Sequence, residues 1–313
     1  MDTYLVTGAA GFIGSHSVDY LLATGHKVIG IDNFYTGNIK NLDQALRSSE
    51  FQFLELDVTD EHGLAALFSA HKFAGVLHLA ALVSVPESFS KPALNFKTNI
   101  AATDTVARLC IDNQCPRIVF ASSAAVYGNS EILPNVETAR PNPQSPYAAA
   151  KLSSEILLLT YTKSYPLEAV CFRYFNVYGP RQDPNSPYSG VLSIFAKNFQ
   201  EGSPVTVYGD GEQTRDFIYV QDVARANCNA LTAKRISSNY YNLCTNQAIS
   251  LNQVLTLLHQ YYPNVTPAQY IASRVGDIRH SRGDASRLQE TFGISAQVPF
   301  DKGLKKLLAA KSP

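Results

Sequence analysis

Residues 7–14 read TGAAGFIG and follow the short apolar run Tyr4-Leu5-Val6, so the chain opens with a strand that must turn at once into a helix. Gly8, Gly11 and Gly14 recur at every third position, and each missing side chain has a use. Gly8 permits the tight turn, Gly11 lets the backbone approach a bulky anion, and Gly14 lets helix and strand pack closely. The unpaired N–H groups at the helix start then suit a pyrophosphate. A glycine triplet alone also fits an ordinary strand-turn-helix.

A second apolar run, Lys27-Val28-Ile29-Gly30-Ile31, ends in Asp32, which lies 18 residues beyond Gly14. That is close to the spacing of a carboxylate that accepts hydrogen bonds from an adenosine ribose, and it favours NAD, because a carboxylate there repels a 2′-phosphate. Asp32 before Asn33 also suits a turn, and the two readings are compatible.

Short apolar runs at 51–58, 76–81, 118–122 and 170–175 alternate with amphipathic stretches. The pattern predicts an α/β fold: a Rossmann-like, doubly wound parallel sheet with ligands at the carboxyl ends of its strands. Asp57, closing one run, reads either as an adenine contact or as a helix cap. From about residue 180 the chain becomes rich in Gly, Pro, Asp and Asn, as in RQDPNSPYSG and VYGDGEQTRD. A smaller mixed α/β lobe is expected there, giving a cofactor domain at 1–175 and a substrate domain at 176–313, with late strands free to return to the first.

With 313 residues the chain can bury a large core without staples. Lys plus Arg equals Asp plus Glu at 26 each, so no global field favours nucleic acid or an acidic membrane. Five cysteines form no CxxC pair and no even framework, and no His/Cys cluster suggests a metal. No run is long enough to span a bilayer, and the expectation is a cytoplasmic protein.

Tyr147 precedes Lys151 by four residues in SPYAAAKLSSEILLL, a good helix former, so both lie on one face. A neighbouring ammonium and a positive nicotinamide ring are expected to pull the phenol below its ordinary value of about 10, making a general base. With 17 tyrosines in the chain, about one such pair arises by chance. The weight comes from its place after the glycine motif and after IVFASS, whose Ser122 and Ser123 end a buried run. Ser123 is the candidate for a hydroxyl that stabilises charge on a substrate oxygen, and a turn cap is its simpler role.

TGAAGFIG, HLAAL, YAAAK, RYFNVYGPRQDP, GDGEQTRDFIYV and RVGDIRHS together resemble the extended short-chain dehydrogenase/reductases, and within them the nucleotide-sugar 4-epimerases, over nearly the whole chain. The resemblance implies NAD held by Gly8, Gly11, Phe12, Ile13, Gly14, Asp32, Asn33, Gly37, Asp57, Val58, Leu79, Ala80, Ala81, Val83, Asn99, Ser122, Tyr147, Lys151 and Phe175. It implies catalysis by Ser123, Tyr147 and Lys151, and a homodimer formed through two long helices per subunit. It further implies a UDP-sugar met by Ser84, Ser123, Tyr147, Asn176, Gly190, Val191, Tyr208, Arg215, Arg274, Asp277 and Ser281.

Arg215 and Arg274 fall at the family's diphosphate positions, and Asp277 at that of the nucleotide ribose; taken singly, Arg215 beside Asp216 also fits a surface ion pair. Ser281 falls at a gate where a bulky residue excludes N-acetyl groups, although it is also a plain loop serine. Together with Ser84 and Gly190 it resembles the subgroup acting on UDP-N-acetylglucosamine, while Val83 stands where a related member has glycine. The related dehydratases and decarboxylases place an acid after the catalytic hydroxyl, whereas this chain has Ala124 and Ala125. UDP-glucose and UDP-glucuronate remain alternative substrates, and a non-catalytic NAD sensor an alternative of another class.

Overall fold

The apolar runs of the first half pair side by side into one parallel sheet. The computed structural model describes residues 1–184, 190–273 and 278–310. Strands β1 (Thr3–Thr7), β2 (Lys27–Asp32), β3 (Phe51–Glu55), β4 (Gly75–His78), β5 (Arg117–Ser123) and β6 (Glu168–Tyr174) lie in the order β6-β5-β4-β1-β2-β3, every pair parallel. The connections carry α1 (Phe12–Ala23), α2 (Glu61–Ala70), α3 (Val85–Ser90), α4 (Pro92–Phe96), α5 (Ala102–Asp112) and α6 (Pro146–Ser164). The run expected over 51–58 leaves the sheet at Glu55, because Asp57 turns the chain by accepting the Thr59 N–H.

Side chains alternate across the sheet, so consecutive residues of one strand feed two different cores. Tyr4 and Val6 join the core that includes Val18 and Leu21 of α1. Leu5 faces the other core, with Leu64 and Leu67 of α2, Val106 of α5 and Leu158 of α6. Both faces are therefore covered, which explains why the strands read as near-continuous apolar runs.

Beyond β7 (Asn176–Tyr178) come α7 (Val191–Gln200), β8 (Thr206–Tyr208), β9 (Thr214–Arg215) and β10 (Phe217–Tyr219). The chain then returns. Helix α8 (Val220–Thr232) packs on α1, and β11 (Asn239–Leu243) extends the main sheet to seven strands by pairing parallel with β6. After β12 (Ile249–Ser250), α9 (Leu251–Tyr261), β13 (Gln269–Ile271), α10 (Ser286–Phe292) and α11 (Phe300–Ala309) complete the described chain. A separate core of Phe195, Phe199, Val207, Tyr219, Val254, Leu258 and Leu304 holds the smaller lobe together.

All five cysteines are free and buried. Among the described residues no helix is long and apolar enough to cross a membrane, and no group of three or more His, Cys, Asp or Glu could hold a metal ion.

Candidate active site

The carboxyl ends of β1, β2, β4 and β5, neighbours in the parallel sheet, lie along one edge. There, Gly8 takes a positive φ of 70°, and a Cβ on it would lie 2.8 Å from the Ala80 nitrogen. Gly11 is the N-cap of α1, with no acidic residue in the first turn, so the N–H groups that begin with Phe12 and Ile13 face no competing carboxylate from their own helix. A Cβ on Gly14 would stand 2.0 Å from the Gly8 carbonyl oxygen. These cradles fit a dinucleotide pyrophosphate and would be filled by any side chain.

Asp32 is 8% exposed at the end of β2. Its Oδ2 accepts the Ala10 N–H at 3.0 Å and its Oδ1 that of Phe34 at 2.8 Å. Burial raises this carboxyl against the pull of those backbone donors. Gly37 closes over it, since a Cβ there would come within 2.7 Å of Oδ1. Asn33 donates to Asp57 Oδ2 at 2.9 Å. Burial would raise Asp57, yet hydrogen bonds from Thr59 and Asn33 and the charge of Lys97 bring it below its ordinary value. The helix-cap alternative for Asp57 does not hold: Asp60 caps α2, and Asp57 instead ties Asn33 to the Thr59 turn, beside buried Val58.

The 79–84 segment is clamped from both sides. Asn99, predicted to meet the cofactor, accepts the Leu82 N–H at 2.9 Å and donates to the Leu82 carbonyl at 3.0 Å. It sits on a single π-helical turn, Lys97–Ala101, between α4 and α5. Thr7 Oγ1 accepts the N–H groups of both Leu79 and Ala80, so its own hydrogen goes to His78 Nδ1 at 2.8 Å. Thr103 donates to the Asn99 carbonyl, so His78 Nε2 carries the proton and donates to Thr103 at 3.1 Å. Those bonds fix one neutral tautomer. Ala81 is half-buried, Val83 is 48% exposed, and Ser84 is buried as the N-cap of α3.

Burial, with a smaller push from Lys151, lowers His78 from 6.5 to about 3. The unfolded chain takes a proton as pH falls through 6.5 while the folded one does not, so stability is lost on acidification at about 1.4 kcal/mol per pH unit from this group. A His78→Gln variant is expected to lose about 1.4 kcal/mol less than the parent between pH 6 and pH 5 in denaturant titrations. Parallel curves would contradict the assignment.

Tyr147 and Lys151 occupy the first turns of α6, whose start is fixed by Ser145 accepting the Ala148 N–H. Ser123, at the end of β5, meets the Tyr147 phenol and also accepts the Ala125 N–H at 3.2 Å, so the candidate hydroxyl is at the same time a turn cap. Lys151 is 2% exposed, with Nζ 4.8 Å from the Phe120 ring centroid and 5.9 Å from that of Tyr147. The expected lowering of Tyr147 is not delivered by the protein's own groups. Burial raises the phenol, opposed by the Ser123 hydrogen bond, while burial also lowers Lys151 to about 7 despite Glu155. A half-neutral lysine is a weak counter-charge, so a phenolate at Tyr147 would need a further cation beside it, which the nicotinamide ring of bound NAD would supply.

Ser122, predicted on the cofactor, turns its hydroxyl away to Glu155. Phe175 is buried against Tyr127 and Cys244. On the far wall Asn176 is half-buried and donates its N–H to the Asp216 carbonyl at 2.9 Å. The Arg215–Asp216 surface pair does not form as the sequence suggested. Asp216 is fully buried, its Oδ1 accepting the N–H and hydroxyl of Thr245 and its Oδ2 the Gly283 N–H at 3.3 Å. Arg215 stays half-buried on β9 and donates to the Thr214 carbonyl at 2.9 Å. Ser281 is half-buried and hydrogen-bonded through its N–H to the same carbonyl at 3.1 Å. Gly190 caps α7, Val191 begins it, and Tyr208 ends β8. Arg274 and Asp277 lie outside the described residues.

A profile of the NAD dependent epimerase/dehydratase family matches residues 4–244. The chain belongs to that family. It uses NAD, in keeping with the glycine cradle and with Asp32. A UDP-glucose 4-epimerase of Mycolicibacterium smegmatis is 36% identical over 303 residues, 96% of each chain. The crystal structure of a UDP-glucose 4-epimerase of Thermotoga maritima with UDP-glucose superposes with a TM-score of 0.92 at 37% identity, covering 98% of this chain and 97% of that one. A UDP-N-acetylglucosamine 4-epimerase of Methanobrevibacter ruminantium, in complex with UDP-N-acetylmuramic acid, gives 0.93 at 35% identity over the same shares.

Glu155, Arg173 and His78 were not assigned roles from the sequence. For Glu155 a signal existed, since it follows Lys151 by the same four-residue step that separates Lys151 from Tyr147.

Proposed function

We propose that this protein is a UDP-hexose 4-epimerase that interconverts UDP-N-acetylglucosamine and UDP-N-acetylgalactosamine. The observation that carries the epimerase reading is that Ser123, at the carboxyl end of β5, meets the Tyr147 phenol, with Lys151 2% exposed one turn further along α6. Bound NAD supplies reversible hydride acceptance at C4 by way of a 4-keto sugar, so no net oxidation results. Tyr147 removes the 4-hydroxyl proton and later returns it. Ser123 donates a hydrogen bond to the 4-oxygen while charge develops there, and Lys151 steadies the phenolate. Arg215, with its planar fork, meets the diphosphate. Directly after Ser123 the chain offers only the methyl groups of Ala124 and Ala125, which transfer no protons, and this disfavours elimination of water from the sugar.

The acetylated sugar is favoured by the small side chain of Ser281, held beside Arg215 through the shared Thr214 carbonyl. Ser281→Tyr is expected to cut kcat/KM for UDP-N-acetylglucosamine at least about 100-fold, as an N-acetyl group loses its room, while UDP-glucose changes less than about 5-fold. Equal loss of both would remove the basis for the gate. Incubation with UDP-N-acetylglucosamine, UDP-glucose and UDP-glucuronate in turn, followed by NMR, ranks the substrates. No 4-epimer from any of them would leave the NAD-sensing reading.

The homodimer belongs to the same proposal. Ile156 of α6 is 60% exposed, Phe96 of α4 58% and Phe89 of α3 60%, and such apolar side chains suit a helical interface. Ile156→Arg is expected to yield monomers in sedimentation where the parent gives dimers, and an unchanged dimer would place the interface elsewhere.

A further inference from the structure

The face of α6 that carries Tyr147 and Lys151 does not end at the lysine. Glu155 follows one turn later, 1% exposed, and with Lys151 it makes a buried row at four-residue steps. Burying a carboxylate is costly unless it is paired and hydrogen-bonded. The sheet supplies both. Arg173 of β6 donates from Nε to Glu155 Oε1 at 2.9 Å and from a terminal nitrogen to Oε2 at 2.6 Å, and Ser122 of β5 donates its hydroxyl to Oε1. Ser122 and Arg173 are direct partners in the β5–β6 register, so the two donors rise side by side. The guanidinium is itself gripped between the rings of Tyr127, 4.8 Å away, and Tyr240, 4.0 Å away.

We propose that Glu155, anchored by Arg173 and Ser122, is a positioning residue for the reaction, whose fixed carboxylate holds the Lys151 ammonium in place against Tyr147. The proposal rests on the reading of Tyr147 and Lys151 as the acid-base pair. The ion pair with Arg173 alone would be structural; what makes it functional is the order of charges along the row. The carboxylate lies on the same helix as Lys151, one turn away, while the guanidinium approaches from the sheet and is bound to the carboxylate. Among the described residues, Glu155 favours the charged lysine against burial, whereas His78 disfavours it only if protonated. Among the described residues, Cys171 and Arg173 of β6 also interact with Glu155, while Tyr127 after β5 and Tyr240 of β11 stack on the Arg173 guanidinium.

The test compares Glu155→Gln with the double variant Glu155→Gln/Arg173→Met, which leaves no unpaired guanidinium behind, and with Glu155→Asp. For folded holoenzymes the expected result is a fall in kcat of at least 10-fold with little change in KM. The alkaline limb of the kcat–pH profile should move down by about one unit or more, since the lysine loses its counter-charge. Independently of turnover, the tyrosinate absorbance difference against the matching Tyr147→Phe protein should rise at higher pH than in the parent, and Glu155→Asp should restore part of both shifts. Unmoved limbs and tyrosinate transition, with only a lower melting temperature, would overturn the proposal and leave the pair as packing. If Lys151→Met itself leaves kcat untouched, it is instead the acid-base reading of the site that fails.

Discussion

Replacing Lys151 with methionine is expected to abolish turnover and to stabilise the protein freed of NAD. The two effects have one cause. Lys151 is 2% exposed beneath the Phe120 ring, and burial brings it from 10.5 to about 7. Between those values the unfolded chain holds a proton that the folded chain releases, so the wild type gains stability as pH rises from about 7 toward 10.5. Methionine fills a similar volume and bears no charge, so near pH 7 it should add on the order of 1–3 kcal/mol and flatten the alkaline rise. Turnover should fall about 10³-fold or more, as the phenolate loses its partner. Thermal melts from pH 7 to pH 10 beside an epimerase assay check both. A variant less stable than the parent would show that the buried ammonium is not a cost to the fold.

Gly14→Ala is expected to damage the cofactor site more than any other single added methyl there. Its Cβ would fall 2.0 Å from the Gly8 carbonyl oxygen and 3.0 Å from the Ala9 Cα. Both are backbone atoms of the turn that leads into α1, so relief requires moving the helix away from the loop. A cost of about 3 kcal/mol or more follows, with NAD affinity lost as the N–H groups are displaced. Gly25→Ala is the control: its φ is +83° but a Cβ there meets nothing within 4 Å, so only the backbone cost of about 1 kcal/mol applies. Denaturant titration and NAD binding by calorimetry separate the two. Comparable losses would mean that conformation, and not close approach, governs Gly14.

What the sequence made legible was whatever depends on neighbours along the chain. The glycine triplet, Asp32 at the end of β2 and the Tyr147–Lys151 step each follow from local spacing, and each sits where that spacing places it. Strand ends were less legible, because Phe51, Phe53, Leu54, Leu56 and Val58 carry the apolar pattern past the end of β3, and only the Thr59 N–H bond to Asp57 shows where pairing stops. Roles set by long-range pairing were not legible. Ser122 reads as a strand-end hydroxyl, yet the β5–β6 register and the packing of α6 give it to Glu155. Asp216 reads as a partner for Arg215, yet alternation along the chain turns it inward to fasten the segments at Thr245 and Gly283. The share of Lys151 in ionising Tyr147 was not legible for a related reason: helix spacing gives the distance to a cation but not the burial that weakens it.

In the proposed reaction, hydrogen leaves C4 of the sugar and comes back to the same carbon without exchange with water. UDP-N-acetylglucosamine labelled with deuterium at C4, incubated with the holoenzyme in ordinary water and separated by product, reads this directly by mass spectrometry. The account predicts a 4-epimer that retains the deuterium. A 4-epimer that has exchanged it for solvent hydrogen would contradict a reversible transfer to bound NAD and point to inversion by proton abstraction at carbon.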